Sequence, residues 1–199
     1  EIHAGDWSSD VCSSDLKSIA FALVTILTLS VTAQTKKIDA KKSTVNWVGK
    51  KVTGSHEGTI DLKDGALVFK GTQLSGGMFN VDMPSIIVTD LEGKSKASLE
   101  GHLKSEDFFG TEKFSTANLV FKKITDKGNG VYGITADLTI KGKTNPINFD
   151  IIVSGNSATA DLKVDRTKYD ITYKSGNFFT DLGDKAIYDD FQLKVKLVF

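Results

Sequence analysis

From Gln34 to the C-terminus, apolar and polar residues alternate with a period of two in short runs. Phe191, Leu193, Val195, Leu197 and Phe199 fall on one face, and Gln192, Lys194 and Lys196 fall on the other, the pattern of a half-buried antiparallel strand. The same period runs through Val45 and Trp47, Ile60 and Leu62, Leu119 and Phe121, the even positions from Tyr132 to Ile140, the odd positions from Ile147 to Val153, and the even positions from Ala158 to Val164. Turn signals separate these runs at Lys63-Asp64-Gly65, Asp126 to Gly130, Lys141-Gly142-Lys143 and Gly155-Asn156-Ser157. Eight or nine strands joined mostly by tight turns predict one all-β domain, a barrel or a sandwich.

Two stretches break the alternation. Asp90 to Ser105 has the spacing of a short helix, with Leu99 and Leu103 four apart on its buried side, and it leads into the aromatic pair Phe108-Phe109. Asp165 to Asp190 holds Arg166, Tyr169, Tyr173 and a second pair, Phe178-Phe179. Long irregular insertions in a β domain tend to carry function.

The first 33 residues read as an address rather than as fold. Lys17, an uncharged apolar run from Ile19 to Val31 and the small-residue site Val31-Thr32-Ala33 form the layout of a signal peptide over residues 17–33, with a cut expected after Ala33. The run is shorter than the roughly 20 apolar residues of a spanning helix, so no stable membrane span is expected after cleavage. Residues 1–16 carry four acids and no Lys or Arg, and they repeat Ser-Ser-Asp. They read as a non-native leader and are set aside. The domain expected to fold is therefore 34–199, in the periplasm or secreted.

Charge and chemistry narrow the function classes. Lys and Arg total 25 against 25 acids, and a single arginine leaves no basic stripe for a phosphate backbone, so nucleic acid is not an expected partner. The one cysteine, Cys12, lies in the leader, which removes disulfides, cysteine-rich zinc sites and thiol catalysis from the mature chain. His56 and His102 stand 46 positions apart without His-x-His or His-Glu-x-x-His, and there is no Gly-x-Ser-x-Gly elbow and no phosphate loop. No catalytic residue, metal site or cofactor is assigned. His56-Glu57 in a Gly-rich approach reads as a solvated turn.

Gly77-Met78-Phe79-Asn80-Val81-Asp82-Met83, the string His102 to Phe109, Asp137-Leu138-Thr139-Ile140-Lys141-Gly142, and Asp165-Arg166-Thr167 with Tyr169 and Ile171 occur in order and at matching spacing from about Lys37 to Phe199. Together they resemble the YceI-like family of exported polyisoprenoid-binding proteins. Lys113-Phe114-Ser115 departs from the Tyr-Pro pair common there, and Ile171 from a glycine. The resemblance implies a lipocalin-like antiparallel barrel of about eight strands with a short helical insertion, a pocket for the apolar tail of an isoprenoid quinone or similar lipid, and often a homodimer.

Sequence physics leaves an eight-stranded barrel free to be solid or to hold one slender ligand. If it is hollow, the candidate lining is Trp47, Phe69, Met78, Phe79, Phe121, Phe149 and Phe191 from strands, with Phe108, Phe109, Phe178 and Phe179 from the insertions as mouth or lid. Arg166, His102 and Tyr173 are candidates for the rim or the head group. Arg166 also fits a structural ion pair with Asp165, Asp170 or Asp190, and His102 a helix-capping role. The competing readings are a solid barrel serving as an exported stress-response or interaction module with a protein partner, and an enzyme on a barrel scaffold.

Overall fold

In a computed structural model of the chain, residues 32–199 are described. The leader and most of the expected signal segment lie outside them. Ala33, after which the cut is expected, is the first residue of β1 (Ala33–Lys37).

Eight further strands follow among the described residues. They are β2 (Thr44–Lys51), β3 (Gly54–Lys70), β4 (Gln73–Val88), β5 (Thr116–Asp126), β6 (Val131–Ile140), β7 (Lys143–Ser154), β8 (Ser157–Asp165) and β9 (Ile187–Val198). A single α-helix, α1 (Gly93–Lys104), links β4 towards β5, and a 3-10 turn, Arg166–Tyr169, follows β8. All ladders are antiparallel, in the order β1-β3-β2-β9-β8-β7-β6-β5-β4, and the additional β3–β4 pairing closes β2 to β9 into an eight-stranded barrel. β1 and β2 act as one interrupted strand beside β3. β1 pairs with Ala66 to Lys70, and β2 with Gly54 to Ile60.

The expected turn at Lys63-Asp64-Gly65 is instead the interior of β3, a 17-residue strand whose register with β4 shifts between Leu62 and Asp64. A bulge there bends the strand where its partner changes from β2 to β1. Gly65 is small for packing, since a Cβ on it would lie 2.6 Å from the Phe79 ring. His56 likewise stands in β3 and not in a turn. Its Nδ1 is 2.8 Å from Asp90 Oδ2, and Glu57 N–H donates to Asp90 Oδ1 at 3.2 Å, tying β3 to the segment before α1. Burial pushes the Asp90 carboxyl up, but hydrogen bonds from His56, Glu57 N–H and its own N–H outweigh this and hold it below its ordinary 3.8.

Alternation places Tyr132, Ile134, Ala136, Leu138 and Ile140 inward along β6, and every one is buried. Each large apolar side chain so buried contributes about 1.5–3 kcal/mol. The wall is uneven, because β7 and β8 pair only from Ile151↔Ala160 to Ser154↔Ser157 and then part. The described residues fall in one compact unit with its own core.

Candidate functional site

The side chains do not fill the barrel interior completely. Two apolar compartments lie along its axis, one of about 130 Å³ toward the end carrying α1 and one of about 80 Å³ toward the other end. Val45, Val81, Leu138 and Leu193 border both and form a waist between them. Below the waist, Phe79, Phe121 and Phe149 form a tilted series with ring centroids 5.7 and 6.0 Å apart. Above it, Phe108 packs edge-on to Phe109 at 5.1 Å, and Phe109 on Phe191 at 6.3 Å. The inward Phe121, Phe149, Phe191 and Leu193 remain only partly buried around the two compartments.

Polarity is graded along the axis. The lower compartment is bordered solely by Ala, Val, Leu, Ile and Phe. The upper one adds three charged residues, Lys50, Arg166 and Asp190, beside Ile187 and Tyr188 at the top of β9. Lys50 and Tyr188 are exposed as well as lining, so the space opens to solvent at this end, the mouth. A larger, open hollow of about 990 Å³ lies over β2 and β5 to β9, where β7 and β8 part; Lys, Thr, Asn and Asp side chains border most of it, and it shares Phe149, Ala160 and Val195 with the lower compartment.

Arg166 organises the mouth. With 2% exposure, its guanidinium donates from Nε to Tyr188 O (3.1 Å), from Nη1 to Ile171 O (2.7 Å), and from Nη2 to Ile187 O (3.0 Å) and Asp189 Oδ1 (3.3 Å). Most of its donors are thereby committed to backbone, and the side chain clamps the start of β9 to the segment after the 3-10 turn. Burial lowers its pKa, against the opposing charges of Asp189 and Asp165. The structural reading of Arg166 holds, but its acid is Asp189 and none of the three expected. Asp165 accepts from Thr167 N–H (3.0 Å) and Oγ1 (2.6 Å), Asp170 pairs with Lys143 (3.1 Å), and Asp190 with Lys163 (2.6 Å).

His102 lies in the last turn of α1, with its ring 4.4 Å from Tyr173 and 5.6 Å from Phe108. Its Nε2 is buried without a partner among the described residues, as is the Tyr169 hydroxyl. Burial, with Asp165 adding to it, pushes the Tyr169 phenol up to about 12. Neither His102 nor Tyr173 borders a compartment. His102 packs against Phe108, and Tyr173 against His102.

Of the expected lining, Trp47, Phe79, Phe108, Phe109, Phe121, Phe149 and Phe191 border the two compartments. Met78 does not. It neighbours the inward Phe79 on β4 and must face outward, where it is exposed. Phe69 is buried beyond the lower compartment, its ring 5.9 Å from Phe199 and beneath Lys36 Nζ at 5.5 Å, and it helps close that end. Phe178 and Phe179 lie exposed on the loop before β9, outside both compartments, because backbone bonds to Ser175 O turn them away from the barrel. The waist aliphatics and Met83, Ile86 and Ile140 were not singled out by sequence, although the period of two that marked the aromatics includes Val45, Leu138 and Leu193.

The YceI-like domain family matches residues 37–199, nearly the whole barrel. This chain belongs to that family. A UPF0312 protein of Shewanella denitrificans is 37% identical over 90 residues, 45% of each chain, and one of Vibrio cholerae is 27% identical over 147 residues, 70% of this chain and 75% of the relative. The match thus spans about half the length of the Shewanella relative. Among solved structures, Burkholderia cenocepacia BcnA superposes with a TM-score of 0.65 at 23% identity, over 81% of this chain and 99% of that one. A polyisoprenoid binding domain from Saccharophagus degradans, implicated in plant cell wall breakdown, gives 0.56 at 13% identity over 83% and 97%. These likenesses establish a YceI-like barrel fold.

Proposed function

We propose that this YceI-like protein is an exported carrier that encloses the apolar tail of a polyisoprenoid, such as an isoprenoid quinone, or of another amphiphilic lipid, and leaves the head group at the mouth. The observation that carries this is the graded lining, purely hydrocarbon below the waist and charged only beside the opening. An amphiphile has the same gradient. Each buried CH₂ contributes about 0.8 kcal/mol, so one five-carbon isoprene unit contributes about 4 kcal/mol, and a few units outweigh the ordering of the tail. No catalytic step or cofactor is part of this role. The polyisoprenoid-binding description of the Saccharophagus relative and the signal-like segment at 17–33 support the reading.

Native mass spectrometry of residues 34–199 exported by a bacterial host, with organic extraction, tests it. The expected result is a stoichiometric polyprenyl or quinone mass. Phe121→Glu, folded by circular dichroism, should lose it, and Val81→Phe at the waist should restrict retention to shorter tails. A folded wild-type protein that is empty and takes up no added isoprenoid overturns the proposal.

A further inference from the structure

Four large apolar side chains, Val52, Phe178, Phe179 and Tyr188, are between 49% and 59% exposed, and all lie at the mouth end. Exposed apolar residues elsewhere, such as Met78 and Ile152, stand singly on the outer wall. The rim is assembled by backbone contacts. Val52 N–H donates to Ala186 O at 3.1 Å, Ser175 bridges to Ile187, and the Phe178 and Phe179 N–H groups both donate to Ser175 O, at 3.1 and 3.0 Å. Asn177 Nδ2 anchors the same loop to Asp189 Oδ2 at 2.6 Å. Two adjacent phenyl rings are therefore presented to solvent by a folded loop, where they add nothing to the core.

The charges on this rim are of unequal sign. The chain segments that form it, 50–53 and 174–188, carry Lys50, Lys51, Lys174 and Lys185 against Asp181 and Asp184, apart from the paired acids of β9. Asp189 is engaged by Arg166 and Asp190 by Lys163. Exposed aromatics among surplus lysines form the pattern that settles at the headgroup level of an anionic membrane. The same surplus disfavours a second copy packing isologously on this face. Tyr188 belongs to the rim and also borders the upper compartment, so the apolar space opens into this surface.

We propose that the mouth rim is a docking surface for an anionic lipid bilayer, which, resting on the carrier reading above, sets the cavity opening against the membrane so that a tail passes between bilayer and barrel without crossing water.

Flotation of residues 34–199 with vesicles of phosphatidylglycerol and phosphatidylcholine, compared with phosphatidylcholine alone, tests this, with retained prenyl lipid measured in parallel by native mass spectrometry. The wild-type protein should float with the anionic vesicles and less with the neutral ones. The double variant Phe178→Ser, Phe179→Ser should lose roughly tenfold in bound fraction, and Lys174→Glu with Lys185→Glu should lose a similar factor on anionic vesicles only. Neither should change the retained lipid. A wild-type protein that retains lipid but does not float overturns docking and leaves the carrier reading standing. One that neither floats nor retains lipid overturns both. Variants that float like wild type, or a non-floating dimer that Phe178→Ser, Phe179→Ser dissociates, overturn docking.

Discussion

At the closed end of the barrel, hairpins with short turns at residues 71–72, 127–130 and 155–156 join strands whose inward residues meet in apolar contact, and the Phe69–Phe199 pair lies under Lys36 Nζ, 5.5 and 5.1 Å from the two rings. At the mouth, the chain from Asp165 to Ile187 is mostly irregular, a buried arginine holds it by bonds to main-chain carbonyls, and Asp170, Lys174 and Asp181 sit at positive φ of 58°, 49° and 61°. Left-handed backbone is costly for residues other than glycine, most of all for Lys174, and unpartnered buried polar atoms lie at the same end in His102 and Tyr169. The closed end is organised for stability. The mouth trades stability for shape.

Substitutions can break this contrast, the largest first. Arg166→Ala should destabilise by about 3–5 kcal/mol, because it leaves Asp189 and three carbonyls without their donor in a buried site. Phe69→Ala should cost a similar ~3–5 kcal/mol by opening a cavity at the closed end. The two differ in binding. In urea melts combined with lipid retention, Phe69→Ala should keep its lipid until it unfolds, whereas Arg166→Ala should release it at lower denaturant.

Two glycines sharpen the comparison at smaller cost. A Cβ on Gly58 would overlap the Ile87 carbonyl oxygen and the Trp47 indole, and backbone cannot yield there, so Gly58→Ala should cost about 1–3 kcal/mol in thermal melts. The three atoms nearest a Cβ on Gly77 all belong to the Phe121 ring, at 2.6 to 3.0 Å. That ring can swing into the lower compartment, so Gly77→Ala should cost less stability but shorten the retained tail in native mass spectra.

Titration gives the smallest effects. The Tyr169 phenol is raised from 10.0 to about 12, so the folded state holds a proton that the unfolded state loses, and its contribution, complete below 10.0, falls away as pH rises through about 12. Tyr169→Phe should flatten that alkaline loss and, by removing an unpartnered hydroxyl, match or exceed wild-type stability by up to about 1 kcal/mol. Asp90 runs the opposite way. Its depressed pKa supplies stability that is present above 3.8 and is lost as pH falls below it, so Asp90→Asn should blunt the acid limb of a pH–melting curve.

Alternation in the sequence determined the inward face of most strands, turn composition three of the four expected turns, and four-residue spacing the helix around Leu99 and Leu103, while seven of the eleven aromatic and Met candidates border a compartment. The misses have specific causes. Lys63-Asp64-Gly65 has turn composition, yet Gly65 serves the Phe79 ring, a neighbour across the β3–β4 ladder that no local window contains. Met78 cannot line the barrel once Phe79 does, a constraint that the period of two already held. Arg166 has Asp165 beside it and Asp170 four residues away, but the β8–β9 register, Asp165↔Asp190, carries Asp189 to it. Which side chains face inward is a local property of strand geometry. Whether they fill the space they enclose depends on eight strands closing at one diameter and on how their registers offset the rings, and those are relations between distant segments that only the tertiary structure decides.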